Sequence, residues 1–320
     1  MRSIFNKMKN RIASISLDLD NQWSYMKIHG DKGWDKYPSY LSIFVPYMLD
    51  LLDKLELRIT FFVVGKDASI EENLPYLRML TDRGHEIGNH SFNHESWLQK
   101  YSRQELEKEI EDAETIIEKA TGYKTKGFRG PGFSWSMEML EVLKDRGYIF
   151  DASTLPTYIG PIARKYYFWK SDLSKEEKKD RSELFGSFKD GLRSLKPYFH
   201  TLRQNRKLLE IPVTTIPIIK VPFHLSYLLY LSGISPLLMK MYFSFALFMC
   251  KLTRTSPSFL LHPLDLIGGD KVTELAFFPG MNIKSNDKAK VFEYVVKKLK
   301  NNYRVVTMEE HAENELNSQG

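Results

Sequence analysis

RITFFVVG, residues 58–65, opens on a cation and then runs through β-branched and aromatic residues to a glycine stop. A strand exposed on one face alternates apolar with polar, so a near-continuous apolar run predicts a strand covered on both faces. The flanking sequence supplies the covers. Upstream, RIASISLDL (11–19) alternates with period two, and SYLSIFVPYMLDLLDKLEL (39–57) has apolar residues at helical spacing, with Pro46 as a candidate bend. Downstream, ENLPYLRMLTDRG (72–84) reads as a helix closed by Gly84, and HEIGNH (85–90) as a short strand entering a loop. SRQELEKEIEDAETIIEKATG (102–122) carries a capping box, Ser102 with Glu105. TKGFRGPG (125–132) is a strand entering a turn, SMEMLEVLKDRG (136–147) a helix and YIFDAS (148–153) a strand. Repeated βα units of this length predict a parallel sheet clad in helices. Polar residues recur at the strand ends, which favours a parallel (β/α) barrel of about seven strands.

From about residue 160 the rhythm breaks. Residues 163–207 are aromatic and basic, and 210–254 are largely apolar. The βα pattern returns with SFLLHPLD (258–265), DKAKVFEYVVKKLKNN (287–302) and YRVVTMEEHAEN (303–314). We read residues 1–320 as a single domain with a large, mainly helical insertion over 160–255. The net charge of +6 comes without a recognisable nucleic-acid-binding module, so no nucleic-acid partner is expected. A lone cysteine, Cys250, excludes an internal disulfide framework and a cysteine-based metal site. The first residues have no apolar run of signal-peptide length, which gives a cytoplasmic expectation.

The chemistry-bearing residues sit at the strand ends. In SLDLD (16–20), Asp18 and Asp20 fall on one strand face, where two like charges repel unless a cation relieves them. His90 and His94, four residues apart in HSFNH, suit a divalent ion. His85 lies inside the strand signal and is expected in the core or behind the site. One carboxylate with two imidazoles leaves coordination positions open, the pattern of a catalytic centre. Arg129 in GFRGPG can grip a carboxylate, and Gly132 offers a backbone N–H to an oxyanion. His262 in FLLHPLD is a candidate general acid, with Asp151 as its carboxylate partner and Asp265 as the competitor.

These five stretches, in this order, resemble the polysaccharide deacetylase family, the carbohydrate-esterase type that includes the chitooligosaccharide deacetylase of nodulation. The resemblance covers residues 12–155 well and 257–310 moderately. It implies a distorted (β/α) barrel and metal-dependent removal of N- or O-acyl groups from carbohydrates. By position, it implies Asp18 as catalytic base, and Asp20, His90 and His94 as ligands of a divalent metal, Zn2+ first, with Co2+, Ni2+ or Fe2+ as alternatives. It further implies Arg129 orienting Asp18, the Gly132 N–H at the oxyanion, and His262, held by Asp151, as general acid. Two departures stand out: Gly132 replaces a tyrosine found in many relatives, and DASTLP lacks the usual tryptophan.

The expected substrate is an N-acetyl or N-formyl amino sugar in a surface polysaccharide or a lipid-linked glycan precursor. Alternatives are a C–N hydrolase of a cyclic amide on the same barrel, a non-haem iron oxygenase, and a silent glycan-binding or membrane-adaptor protein. Residues 221–239 contain no Asp, Glu, Lys or Arg, but Pro222, Gly233 and Pro236 interrupt the run. Two short helices joined at SGISP therefore fit better than one membrane span. They either cap the barrel or dip into a bilayer through residues 211–254. Arg193, Lys196, Arg203, Arg206, Lys207, Lys251 and Arg254 would supply the basic flanks, at the inner face of the membrane.

Overall fold

In the computed structural model, which describes residues 11–158 and 190–319, the apolar run at 58–65 forms β2 (Thr60–Val63), with all four side chains buried. Its parallel neighbours are β1 (Ile12–Asp18) and β3 (Glu86–Asn89). The sheet continues through β4 (Gly127–Phe128) and β5 (Phe150–Asp151) to β7 (Lys207–Glu210), again parallel. β8 (Ser258–Leu261) pairs with the other edge of β1, and β9 (Arg304–Val306) with its beginning. β6 (Tyr198–Thr201) is antiparallel to β7 and forms the far edge. The two ends of the sheet approach each other where Thr214 N donates to Ser258 O over 3.0 Å and Ser258 N to Thr214 Oγ1 over 2.8 Å. The sheet is thus a mostly parallel, partly closed barrel.

The strand order corrects one expectation. The described part of the stretch 160–255 is not wholly an addition outside the barrel, because β6 and β7 come from it and β7 lies directly beside β5. The long connection after β5 obscures that strand pair in the sequence. Residues 159–189 lie outside the described part.

Four helices follow their expected positions, α2 (Leu41–Lys54), α3 (Leu74–Asp82), α4 (Arg103–Thr121) and α5 (Met137–Asp145), and α1 (Gln22–His29) precedes them without having been expected. α4 has the full capping box at Ser102 and Glu105 and ends on Gly122 at φ +72°. The apolar segment forms two helices, α6 (Leu225–Ile234) and α7 (Pro236–Thr253), joined at Ser235. No described helix is long and apolar enough to cross a membrane. α8 (Ser285–Lys300) and α9 (Met308–Gln319) complete the chain.

Alternation along β1 separates two environments. Ala13, Ile15 and Leu17 join the large core under the helices. Ser14, Ser16 and Asp18 point the other way, into the barrel, where Phe62, Phe150, Leu209 and Met308 pack together. α9 plugs the end where the parallel strands begin: Met308 N donates to Thr60 Oγ1, and the His311 ring bonds Ser14 Oγ at 2.9 Å. The opposite rim, at the strands' C-terminal ends, is left for the polar residues.

Candidate metal centre and active site

Asp18, His90, Arg129, Asp151 and His262 all lie at or just beyond the C-terminal ends of their strands. In a parallel barrel such ends share one rim. β1 stops at Asp18, so Asp20 belongs to the following loop rather than to the strand face it was expected to share. The two aspartates have different partners. Asp18 accepts a 2.6 Å hydrogen bond from Nη1 of Arg129, which also donates to Ser16 Oγ at 2.8 Å. Arg129 is wholly buried, its Nε donates to the Ala152 carbonyl, and its guanidinium lies 4.3 Å from the Phe62 ring centroid. Every one of these contacts fixes the direction of the Asp18 carboxylate.

Asp20 faces the histidines. Its Oδ1 lies 2.9 Å from Nε2 of His94 and 3.5 Å from Nε2 of His90. One ligand atom from each of the three residues falls within 4.8 Å of the others. That Oδ1 is nevertheless buried without a hydrogen bond, so neither imidazole is aligned to donate to it. His90 Nδ1 is engaged by the Arg129 carbonyl at 2.6 Å, which makes it the protonated nitrogen and leaves the Nε2 lone pair facing Asp20. Three donor atoms converging without satisfying one another is the arrangement a divalent cation completes.

The histidine loop is held in an unusual shape. Ser91 and His94 adopt positive φ, 64° and 55°. Such backbone persists only where the surroundings enforce it. Glu109, buried on α4, accepts from Phe92 N, Asn93 N and Asn93 Nδ2 at 3.0, 2.6 and 2.7 Å. Asn89 Oδ1 accepts from Ser91 N, and Gly65 N donates to the Ser91 carbonyl. A Cβ on Gly65 would sit 2.7 Å from the Phe92 ring and 2.9 Å from Ala113 Cα, so only glycine lets the loop approach this closely. Behind Asp20, buried Asp67 accepts from Asn21 Nδ2 at 2.7 Å and Trp23 Nε1 at 2.9 Å. Burial pushes the Asp67 carboxyl up to about 6 despite those donors.

His262 does not pair with Asp151. Its carboxylate is Asp265, whose Oδ2 lies 3.7 Å from His262 Nδ1 and accepts from His262 N at 2.9 Å. Asp265 is itself held by Ser226 Oγ at 2.6 Å, from the first turn of α6. Burial opposes the His262 charge, but Asp265, reinforced by Asp18 and Asp20, pushes its pKa up to about 9. Lys288 fixes the loop after His262 by donating to the carbonyls of Leu264 and Ile267. Asp151, fully buried, accepts from Ser153 Oγ, and Ser153 Oγ in turn accepts from Gly130 N at 2.8 Å. Burial, with Glu210 beside it, raises the Asp151 pKa well above the carboxylate range. Its place is under the Arg129–Gly132 turn. Gly132 is exposed at φ +60° on that turn. His85 is buried at the start of β3, away from the ligand set, with its Nδ1 accepting from Ile59 N. Glu109, Asp67, Ser226 and Lys288 had no strand-end signal. Only HPLD, with an acid three residues after the histidine, could have pointed to Asp265.

A polysaccharide deacetylase family model matches residues 31–150. The chain is 27% identical over 179 residues to the peptidoglycan deacetylase of Helicobacter pylori, covering 53% of this chain and 59% of that protein. It is 32% identical over 135 residues to a peptidoglycan-N-acetylglucosamine deacetylase of Bacillus cereus, covering 42% of this chain and 58% of that protein. These alignments therefore span less than two thirds of the relatives' length. Among solved structures, one from Mycobacterium smegmatis assigned to the polysaccharide deacetylases superposes with a TM-score of 0.62 at 16% identity, covering 96% of this chain and 90% of the other. That likeness shows a shared barrel fold. With the ordered motifs on this barrel rim, residues 31–150 of the chain are similar to the polysaccharide deacetylase family.

Proposed function

We propose that the protein is a metal-dependent hydrolase that removes an N-acyl group, acetyl or formyl, from an amino sugar in a surface polysaccharide or lipid-linked glycan precursor. The observation that carries the reading is the convergence of Asp20, His90 and His94 around a buried, unsatisfied oxygen, beside Asp18 locked by Arg129. When bound there, a divalent cation, Zn2+ first among the candidates, would polarise the acyl carbonyl and acidify a water.

The chain's own groups supply the rest. Asp18, aimed by Arg129, accepts the proton of the attacking water. The Gly132 N–H donates to the oxyanion; such a donor contributes about 100-fold or more in rate. His262, kept charged by Asp265, gives its proton to the leaving nitrogen as the C–N bond breaks. The products are a short carboxylic acid and a free amino sugar. A setting at the cytoplasmic face of a membrane belongs to the same reading, and the apolar outer face of α6 and α7 supports it.

The test is release of free amine from N-acetylated chitooligosaccharides, peptidoglycan fragments and lipid-linked N-acyl amino sugars. Metal-loaded protein should release amine from at least one panel member, and His262→Ala should lose about 100-fold or more of that rate. Absence of amine release across the panel from fully metal-loaded protein would sink the proposal.

A further inference from the structure

α7 has two apolar faces where a surface helix needs one. Met239, Phe243, Ala246 and Cys250 are buried towards the barrel. On the other side Leu237, Met241, Phe245, Phe248 and Leu252 are 68, 62, 46, 58 and 64% exposed. At about 100° per residue these five fall within an arc of about 80°. Tyr230 and Ile234 of α6, 71 and 62% exposed, add to the apolar surface of the helix pair. Scattered exposed apolar residues are ordinary, but a continuous stripe of this kind marks a surface that something covers.

The charges around the stripe identify what covers it. Between Glu210 and Asp265 the chain has no acidic residue, and its cations there are Lys220, Lys240, Lys251 and Arg254. On the helical wheel Lys240 and Lys251 sit beside the stripe, at its polar margin. Lys240 is exposed and reaches over the Tyr294 ring at 5.4 Å, and Arg254 is exposed at the helix end. An apolar stripe edged by lysines, on a segment of sequence without acids, matches an anionic bilayer surface. A second copy docking about a twofold axis would present the same cations to each other, which disfavours it. Arg203 and Arg206, expected among the basic flanks, are instead ion-paired with Glu138, Glu141 and Asp145.

We infer that the outer stripe of α7, extended by Tyr230 and Ile234, docks on an anionic bilayer and holds the barrel rim at headgroup level. The link to the rim is direct. Ser226, in the first turn of α6, donates to Asp265, the carboxylate of His262, and the His224 ring stands 6.4 Å from the His262 ring. The helix pair that carries the stripe therefore contacts the carboxylate of the proposed proton donor. This inference rests on the proposed lipid-linked substrate only for its purpose; the docking itself is independent of activity.

The experiment is co-sedimentation of the full chain with vesicles of phosphatidylcholine containing phosphatidylglycerol, against pure phosphatidylcholine. The expected result is binding that needs the anionic lipid, and at least ~10-fold weaker partition for the double variant Phe245→Glu/Phe248→Glu, since both rings leave the acyl boundary. Size-exclusion chromatography and hydrolysis of a soluble N-acetylated oligosaccharide check that the variant is folded. A second pair, Met241→Ser with Leu252→Ser, should weaken partition without adding charge. Wild-type protein that stays free of anionic vesicles, or variants that bind as well as wild type, would overturn the inference. So would a wild-type dimer that the variants break while vesicles remain unbound. Vesicle binding with no hydrolysis would instead count against the proposed reaction alone.

Discussion

Arg129, wholly buried, donates a 2.6 Å charge-assisted hydrogen bond to Asp18. Removing one member of such a pair leaves the other charge uncompensated, at about 3–5 kcal/mol. Arg129→Met should therefore lower the melting temperature by several degrees and reduce hydrolysis at least ~100-fold. Thermal melts and steady-state kinetics check both. Unchanged stability would show that Asp18 finds another partner.

The His262–Asp265 pair sets a pH dependence. A proton donor must be charged, so activity should fall as pH rises past about 9. Asp265→Asn removes the charge that opposes burial, and the alkaline limb should move down towards or below the ordinary histidine value of about 6.5. Asp151→Asn should leave that limb in place. Stability follows the same sign: the pair's contribution is complete below about 6.5 and is lost as pH rises through about 9. A pH–rate profile of the three proteins decides which aspartate serves His262.

Glu109 accepts three donors from the loop between His90 and His94, the proposed metal ligands. Glu109→Ala should weaken metal affinity about 10–100-fold, the range for outer residues that orient ligands. Chelator-competition titration reads this directly. Glu109→Gln, which keeps one acceptor oxygen, should recover part of the loss.

Gly65→Ala should destabilise by about 1–3 kcal/mol through overpacking against Phe92 and Ala113. Denaturant unfolding measures it, and the same variant should bind metal less tightly because Phe92 lies between His90 and His94, the proposed ligands.

The sequence was informative where the signal is local. The apolar run of β2, the alternation of β1 and the capping box of α4 depend on neighbours in the chain, and each element lies where its pattern put it. That Asp20, His90 and His94 come together was legible for a related reason: strand ends of a parallel barrel share a rim, so residues at or just past those ends meet. β6 and β7 were not legible, because a short hairpin after a long connection carries little periodicity. The partner of His262 was legible only as a choice between Asp151 and Asp265. Position at a strand end gives the rim but not the place around it, and β5 and β8 lie on opposite sides of β1 in the strand order. Glu109 is one acid among many on α4, and only the packed loop distinguishes it from its solvent-facing neighbours.

The most direct test is a metal titration of chelator-stripped protein followed by elemental analysis, for wild type, Asp20→Asn and His94→Ala. The expected result is one tightly held divalent ion per wild-type chain, with binding and amine release lost together in both variants. Full occupancy in His94→Ala, or a wild-type chain that holds no divalent ion, would contradict the assignment of Asp20, His90 and His94 as the metal centre.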